Sequence, residues 1–370
     1  MLSPQKSVRE AIVISGHEID TVPDRPAVFV LRAGTSAPYL ARTSLLRRRL
    51  KRVLRMIGGE VDKIEYWLTG SQLESTLLFV DLAKQLLPDQ WRRITRLRPP
   101  VFLRVTTENE FPRTLISSKF GRGTTFGPLE SRAAAERFEA GVLDLFQVRR
   151  CEENLIPSLD HPGCMYGEMG RCLRPCQAAV SIDEYRGEVK RLEAFLQTEG
   201  ASLRESAESA RDAASSDMRF EDAARLHERV ERIKEVQSRS GELARPMERL
   251  WGAAIVGSAQ EQSLSLFVMA GGSWTGPIEV PIAKTVGAGQ SLDAKLREIA
   301  GGVTEGSPDL EHLSILSRWH GSSWRDGEWV AFDAPGKFPY RRLINAISRY
   351  RLRQAPGPTA LPAPAPQNQP

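Results

Sequence analysis

The sequence predicts an α+β protein assembled from small units: an N-terminal α/β domain, a cysteine-rich region, a helical hairpin and a C-terminal α/β segment. Three observations carry that expectation. Short strand-like runs bounded by glycine and proline occur toward both ends of the chain. A central stretch, 182 to 238, is charged, nearly free of glycine and apolar at helical spacing. Between them lie all four cysteines of the 370-residue chain, Cys151, Cys164, Cys172 and Cys176. A chain of this length holds two or three compact domains.

The elements follow in order. Ala27-Val28-Phe29-Val30-Leu31 reads as a buried strand, and Gly34 to Pro38 as a turn. Pro38-Tyr39-Leu40-Ala41 opens a second strand and closes a hairpin. The next stretch places Leu46, Leu50, Val53 and Leu54 on one helical face. Ile64 to Leu68 is a third strand, and Gln72 to Leu87 a helix stopped by Pro88. These form a first domain, 1–98. Region 99–180 contains a strand from Val101 to Thr106 and a glycine-rich loop from Phe120 to Pro128. The loop matches neither a P-loop nor a dinucleotide fingerprint and is read as structural. A helix from Ser131 to Phe146 leads into the cysteines.

Region 181–240 reads as two helices joined near residues 215 to 218. One presents Leu203, Ala207, Ala210 and Ala214; the other presents Phe220, Ala223, Ala224, His227, Val230 and Ile233, with His227 taken as a packing residue. A hairpin alone buries little, so this one is expected to need a partner surface. Region 250–353 shows strands at 251–256, 264–269 and 278–280, a helix at 292–301 and a basic helix at 340–353. Asp326-Gly327, between Trp324 and Trp329, signals a hairpin turn. The tail, 354–370, is rich in proline and alanine and is expected to be disordered.

The formal charge is +5 and the isoelectric point about 9.1. No apolar run is long enough to span a bilayer, so a membrane is not expected as partner. Between Arg42 and Arg55 stand seven cations and no acid. A second cluster is Arg92, Arg93, Arg96 and Arg98, and a third is Arg341, Arg342, Arg349, Arg351 and Arg353. Cations without counter-charge favour a polyanion, since each neutralised phosphate releases counterions. Arg42, Arg47, Arg48, Arg49, Lys51 and Arg52 are therefore the candidate nucleic-acid contacts, which the resemblance described below makes DNA contacts. A solvated helix face is the alternative.

The cysteines are spaced C-x12-C-x7-C-x3-C. Met1 to Gly16 carries no basic region followed by an apolar one, so no secretory signal is visible. A cytoplasmic setting follows as an expectation and weighs against disulfides. Zinc favours paired knuckles two to four residues apart, a pattern met only by Cys172 and Cys176. A cubane cluster tolerates longer spacings, and Arg171 and Arg174 would offset its negative charge. Buried, inert thiols are the remaining reading.

Three segments, in order, resemble the N-terminal two-thirds of the UvrC family, the dual-incision excinucleases of bacterial nucleotide excision repair. Ala27-Val28-Phe29, Tyr39-Leu40-Ala41-Arg42 and Leu46-Arg47-Arg48-Arg49 resemble a GIY-YIG nuclease domain. Phe126-Gly127-Pro128 with the four cysteines resembles the cysteine-rich region, and Ala214 to Val230 the UVR hairpin. The resemblance implies that the cysteines ligate a [4Fe–4S] cluster, zinc being the alternative. It also implies that the hairpin, through Phe220, Ala223, Ala224 and Val230, docks on a partner like UvrB, the family's damage-loading helicase.

Departures from the pattern matter equally. Phe29 replaces the first motif tyrosine, while Tyr39, Arg42 and Arg49 stand as remnants of the catalytic set. Phe79 replaces the metal-binding glutamate, which puts magnesium in doubt because that ion demands hard oxygen donors. The expectation is a DNA-binding protein impaired as a nuclease. The alternative is a divergent endonuclease using Glu74 or Asp81 as a replacement acid. Beyond residue 290, Asp293, Asp309, Asp326, Asp333, His312 and His320 form no pattern like the family's second metal site.

Overall fold

In the computed structural model, the described residues are 10–34, 36–57, 61–281, 285–286, 290–302, 306–334 and 337–354. The expected disordered tail lies outside them from residue 355 onward. Three four-stranded antiparallel sheets organise a mixed α/β chain. No helix among the described residues is long and apolar enough to cross a membrane.

The first sheet contains β1 (Ile12–Ile14), β2 (Ala27–Arg32), β3 (Tyr39–Thr43) and β4 (Lys63–Leu68), in the order β1-β4-β2-β3. The hairpin read from the sequence is β2–β3, with Leu31 opposite Tyr39. Helix α1 (Leu46–Ile57) buries Leu46, Leu50 and Val53 against Phe29 and Tyr66 on one face of the sheet. Helix α2 (Gln72–Leu86) covers the other face, with Phe79 and Leu82 against Val28 and Val30. Apolar layers on both sides explain why β2 reads as an unbroken apolar run rather than an alternating one. Ser71 caps α2 by accepting a hydrogen bond from the Glu74 N–H at 3.1 Å. A short helix, α3 (Trp91–Thr95), follows, closed by Arg96 in the left-handed region at φ 48°.

The second sheet has β5 (Val101–Val105), β6 (Thr114–Ser117) and β7 (Thr124–Leu129). The loop expected from Phe120 to Pro128 is thus a strand from Thr124 onward, paired with β5. Helices α4 (Arg132–Leu145), α5 (Met165–Glu168), α6 (Ile182–Gln197), α7 (Ala201–Ser216) and α8 (Phe220–Ser238) follow. The charged stretch therefore holds three helices, the hairpin being α7 and α8, joined at Asp217–Arg219. It does not stand alone: Val230, Ile233 and Val236 of α8 share one core with Leu103, Phe126, Phe138 and Phe195. A short strand, β8 (Arg245–Pro246), returns to pair with β7.

The third sheet joins β9 (Trp251–Gly257), β10 (Ser263–Ala270) and β11 (Ser273–Pro281). A small pair, β12 (Thr285–Val286) with β13 (Gln290–Ser291), precedes α9 (Leu292–Gly302) and α10 (Leu310–His320). β14 (Gly327–Phe332) and α11 (Tyr340–Gln354) complete the fold. The Asp326-Gly327 hairpin is not formed: β14 pairs with β9, from much earlier in the chain. The Asp326 carboxylate accepts instead from the Gln72 N–H at 2.6 Å and Trp319 Nε1 at 3.1 Å.

That carboxylate joins two sheet units. Leu73, Leu77 and Val80, at helical spacing on α2, pack with Val256, Phe267, Leu313, Leu316 and Trp319. Arg25 Nη2 donates to the Ala259 carbonyl at 2.6 Å. A Cβ at Gly70 would strike the Ser258 backbone, so glycine there permits the close approach. The consequence is positional: α10 is held against the first domain.

Candidate functional site

Tyr39 and Arg42 leave the sheet on β3, Arg49 points in from α1, and Phe79 from α2. They meet Arg93, Arg96 and, from α10, Arg318 around a cavity of about 750 Å³. Arg49 Nη2 donates to the Tyr39 hydroxyl at 3.1 Å. Arg42 Nη1 donates to Thr76 Oγ1 at 2.7 Å, and its guanidinium lies 5.6 Å from the centre of the Phe79 ring. Phe79 is thus in cation–π contact with an arginine. Phe29 is fully buried, its ring 6.1 Å from that of Tyr39. Arg42 is open to solvent along one side but set in a concave wall. Desolvation first, and the Arg318 charge second, pull its pKa below the ordinary guanidinium value.

Among the described residues, no carboxylate lines this cavity. Buried Glu74 turns away and accepts from the Gly70 N–H at 2.7 Å. Asp81 acts electrostatically on His312 of α10. Behind Arg42 a smaller cavity, about 320 Å³, reaches Asp326, whose two oxygens are already engaged by Gln72 and Trp319. Guanidiniums, a phenol and a phenyl ring do not fit magnesium, which takes oxygen ligands.

The set expected from the sequence to contact DNA divides. Arg48 Nε lies 3.0 Å from Asp24 Oδ2, and Lys51 is paired with Asp20. The basic run, free of acids in its own sequence, is thus partly neutralised from residues 20 to 24. Lys51 holds the Asp20 carboxyl below its usual range, with Arg47 adding to the effect. Arg52 is exposed. The third arginine cluster is largely engaged within its own unit: Arg349 pairs with Glu328 at 2.7 Å, and Arg342 and Arg351 donate to backbone carbonyls.

The cysteines fall in one neighbourhood at the end of the second sheet's core. Cys172 and Cys176 are buried, Cys151 is half-buried and Cys164 exposed. Burial pushes the Cys172 thiol up, and the three other cysteines add to the rise, which places all four within electrostatic reach. As placed, the side chains do not close into a cage: among the described residues no three His, Cys, Asp or Glu stand together as a metal site. The surroundings nevertheless suit an anion. Arg149, 2% exposed, donates to the carbonyls of Phe111, Cys151 and Glu153 and lies 3.5 Å from Cys151 Sγ, with no carboxylate partner among the described residues. The Arg174 N–H donates to Cys172 Sγ at 3.4 Å. Arg171 is instead paired with Asp144 at 3.0 Å.

At the hairpin tip, Phe220 is 68% and Met218 75% exposed. Ala224 is exposed and Ala223 half-buried, whereas Val230 is fully buried and unable to meet a partner. His227 is exposed, contrary to the packing role expected. Sequence reasoning missed Arg318 altogether, and saw Arg93 and Arg96 only as part of a cluster. Neither α3 nor α10 was expected, although Asp309 followed by Leu310, Leu313 and Leu316 is a capped, apolar-faced helix start.

The chain is similar in sequence to known proteins. Residues 101–195, which contain all four cysteines, match the UvrC/Cho excinuclease middle domain. The chain is also similar to the UvrABC system protein C of Lachnospira eligens, 27% identical over 235 residues. That match covers 59% of this chain and 38% of the relative. The proteins of the same name from Moorella thermoacetica and Methanothermobacter thermautotrophicus are each 27% identical as well. They match over 58% and 60% of this chain, and 37% and 39% of their own length. The resemblance to the UvrC proteins is therefore shown, over a little more than a third of those relatives. No solved structure matches the chain.

Proposed function

We propose that this chain is a DNA-binding, UvrC-like protein of nucleotide excision repair, cytoplasmic and impaired as a nuclease. One observation carries the reading: the cavity that gathers Tyr39, Arg42 and Arg49 is walled by arginines, with no carboxylate among its described residues. Guanidiniums hold phosphate without a metal. Hydrolysis at the rates of metal-dependent nucleases needs an ion to activate water and stabilise the phosphoryl charge, worth several kcal/mol. The first sheet with α1 and α2 corresponds, in this reading, to the GIY-YIG-like domain, and α7–α8 to the UVR-like hairpin. Exposed Phe220 and Met218 support docking of that tip on a UvrB-like partner.

Cys151, Cys164, Cys172 and Cys176 would hold a [4Fe–4S] cluster, zinc being the alternative. The donor set, the buried guanidinium of Arg149 and the N–H donated to Cys172 support it. Bound there, the cluster would tie the segment after α4 to the start of α6 and contribute folding energy. Equal iron and sulfide in anaerobically purified protein is the expected result; stoichiometric zinc would replace the cluster in this reading.

Nicking of damaged and undamaged plasmid, with magnesium or manganese, tests the main proposal. The expected outcome is retained DNA binding without turnover. Metal-dependent cutting that disappears in Arg49→Ala would establish the endonuclease instead.

A further inference from the structure

Five guanidiniums, Arg42, Arg49, Arg93, Arg96 and Arg318, line one concavity. Like charges gathered this closely repel, yet among the described residues none of the five has a carboxylate partner. Arg96 holds a left-handed backbone at φ 48°, a position that favours glycine at a helix end. The cavity does not end there. A second one, about 720 Å³, shares Arg96 and Arg318 and adds Arg98 and Arg132, with Glu130 as its one acid among the described residues.

We propose that the two cavities form a single track for the phosphodiester backbone of a nucleic-acid strand, and that Arg318, from the C-terminal α/β unit, completes it. This rests on the DNA-binding reading and extends it: the nuclease-like face supplies only part of the site. A lone phosphate needs one pocket, whereas contiguous cationic pockets suit a repeating anion. The closing contact depends on α10 packing against α2, which the shared apolar core fixes. The pKa depression at Arg42 has the same geometry behind it, since Arg318 is close enough to act on it.

Binding of a short labelled DNA strand to the full chain, followed by anisotropy at several salt concentrations, tests the track. Arg318 is exposed, so Arg318→Ala should melt like the unmodified protein. It should weaken binding roughly tenfold, as expected for one lost charge-assisted contact, and lower the salt slope by about one. Arg318→Lys should restore the slope and part of the affinity, because it keeps the charge but not the fork. Arg186→Ala, at an exposed site on α6 outside both cavities, is the charge-matched control and should change little.

If Arg318→Ala matches the control while Arg49→Ala still weakens binding, the track is wrong and the DNA-binding reading survives. If the unmodified chain does not bind the strand, that reading fails as well. Pyrophosphate is the second probe. Arg318-dependent capture of pyrophosphate without strand binding would make this a site for a small phosphate and overturn the track; competition only at high pyrophosphate concentration is the outcome expected.

Discussion

Arg149 and Arg318 both lack a carboxylate partner among the described residues, yet one is sealed in a core and the other stands at the mouth of a cavity. Around Arg149 the chain has arranged three carbonyls and a cysteine sulfur. Around Arg318 it has arranged four more arginines. A buried charge without a counter-ion costs several kcal/mol, so the first environment supports the resident anion proposed there. An open charge costs little in water and can wait, so the second suits the visiting anion proposed for it. In the proposed reading the cysteine segment and the arginine-lined cavity differ in that respect: one would keep its anion and the other exchange it.

The strongest test of this contrast is Arg149→Met. In the anaerobically purified, iron-containing protein it should cost about 3–5 kcal/mol, because it strands three carbonyls and removes a compensated charge. In chelator-treated protein the loss should be smaller, since the cation there lacks its anion. Urea denaturation of the two preparations measures the difference. Equal losses would remove the argument for a resident anion. Cys172→Ser should lower soluble yield together with bound iron; normal yield and an unchanged melting curve would make the buried thiol merely a packing group.

A substitution of intermediate effect tests the other half. Phe79→Glu places a carboxylate beside Arg42, where the ring now lies 5.6 Å from the guanidinium. An internal anion would then compete with DNA phosphate. We expect roughly tenfold weaker strand binding, comparable with the loss of one charged contact, and a shallower salt dependence. Unchanged affinity would mean that DNA does not enter this cavity.

The sequence disclosed what is set locally. Leu46, Leu50 and Val53 revealed α1, the apolar run of β2 revealed a buried strand, and the junction read near 215–218 separated α7 from α8 to within a residue or two. It concealed what depends on distant packing. Asp326-Gly327 carries the local signature of a hairpin, but Gln72 and Trp319 take both carboxylate oxygens and β9 takes the strand. The run from Arg42 to Arg55 lacks acids in sequence, yet Asp20 and Asp24 arrive from a preceding turn. In the candidate site, Tyr39, Arg42, Arg49 and Phe79 were legible because a motif spaces them. Arg318 was not, since only the α2–α10 contact brings it there. Val230 read as a partner contact because the resemblance to the hairpin runs from Ala214 to Val230; a resemblance of sequence does not tell a residue turned to the core from one turned to water.

Acid should loosen the packing of α10, the helix that carries Arg318, on its own sheet. His312 Nδ1 accepts from the Trp274 N–H at 3.0 Å, and its carbonyl accepts from Trp274 Nε1 at 3.2 Å. Desolvation depresses its pKa, against the pull of Asp309, Asp81 and Glu311 and with the push of Lys84. His320, on the same helix beside Glu242, is depressed by burial as well. A depressed histidine takes up its proton more readily when unfolded, so stability present above about pH 6.5 declines as pH falls below it. The urea midpoint should drop between pH 7 and pH 5 by less in His312→Gln than in the unmodified chain. Parallel pH profiles would show that this histidine does not govern the packing of α10.

The smallest effect on stability should come from the hairpin tip, where the effect on assembly should be largest. Phe220 and Met218 are mostly exposed, whereas Val230, Ile233 and Val236 of the same helix are buried in the core. Phe220→Ser removes apolar surface that water already covers, so stability should change by no more than about 0.5 kcal/mol. Val230→Ser instead places a hydroxyl in the core and opens a cavity, at a cost of about 2–4 kcal/mol. The two substitutions thus separate docking from folding along one helix. Phe220→Ser should abolish pull-down of a UvrB-like partner while leaving DNA binding and iron content intact. If Phe220→Ser retains the partner and destabilises the chain as Val230→Ser does, the tip belongs to the fold rather than to an interface.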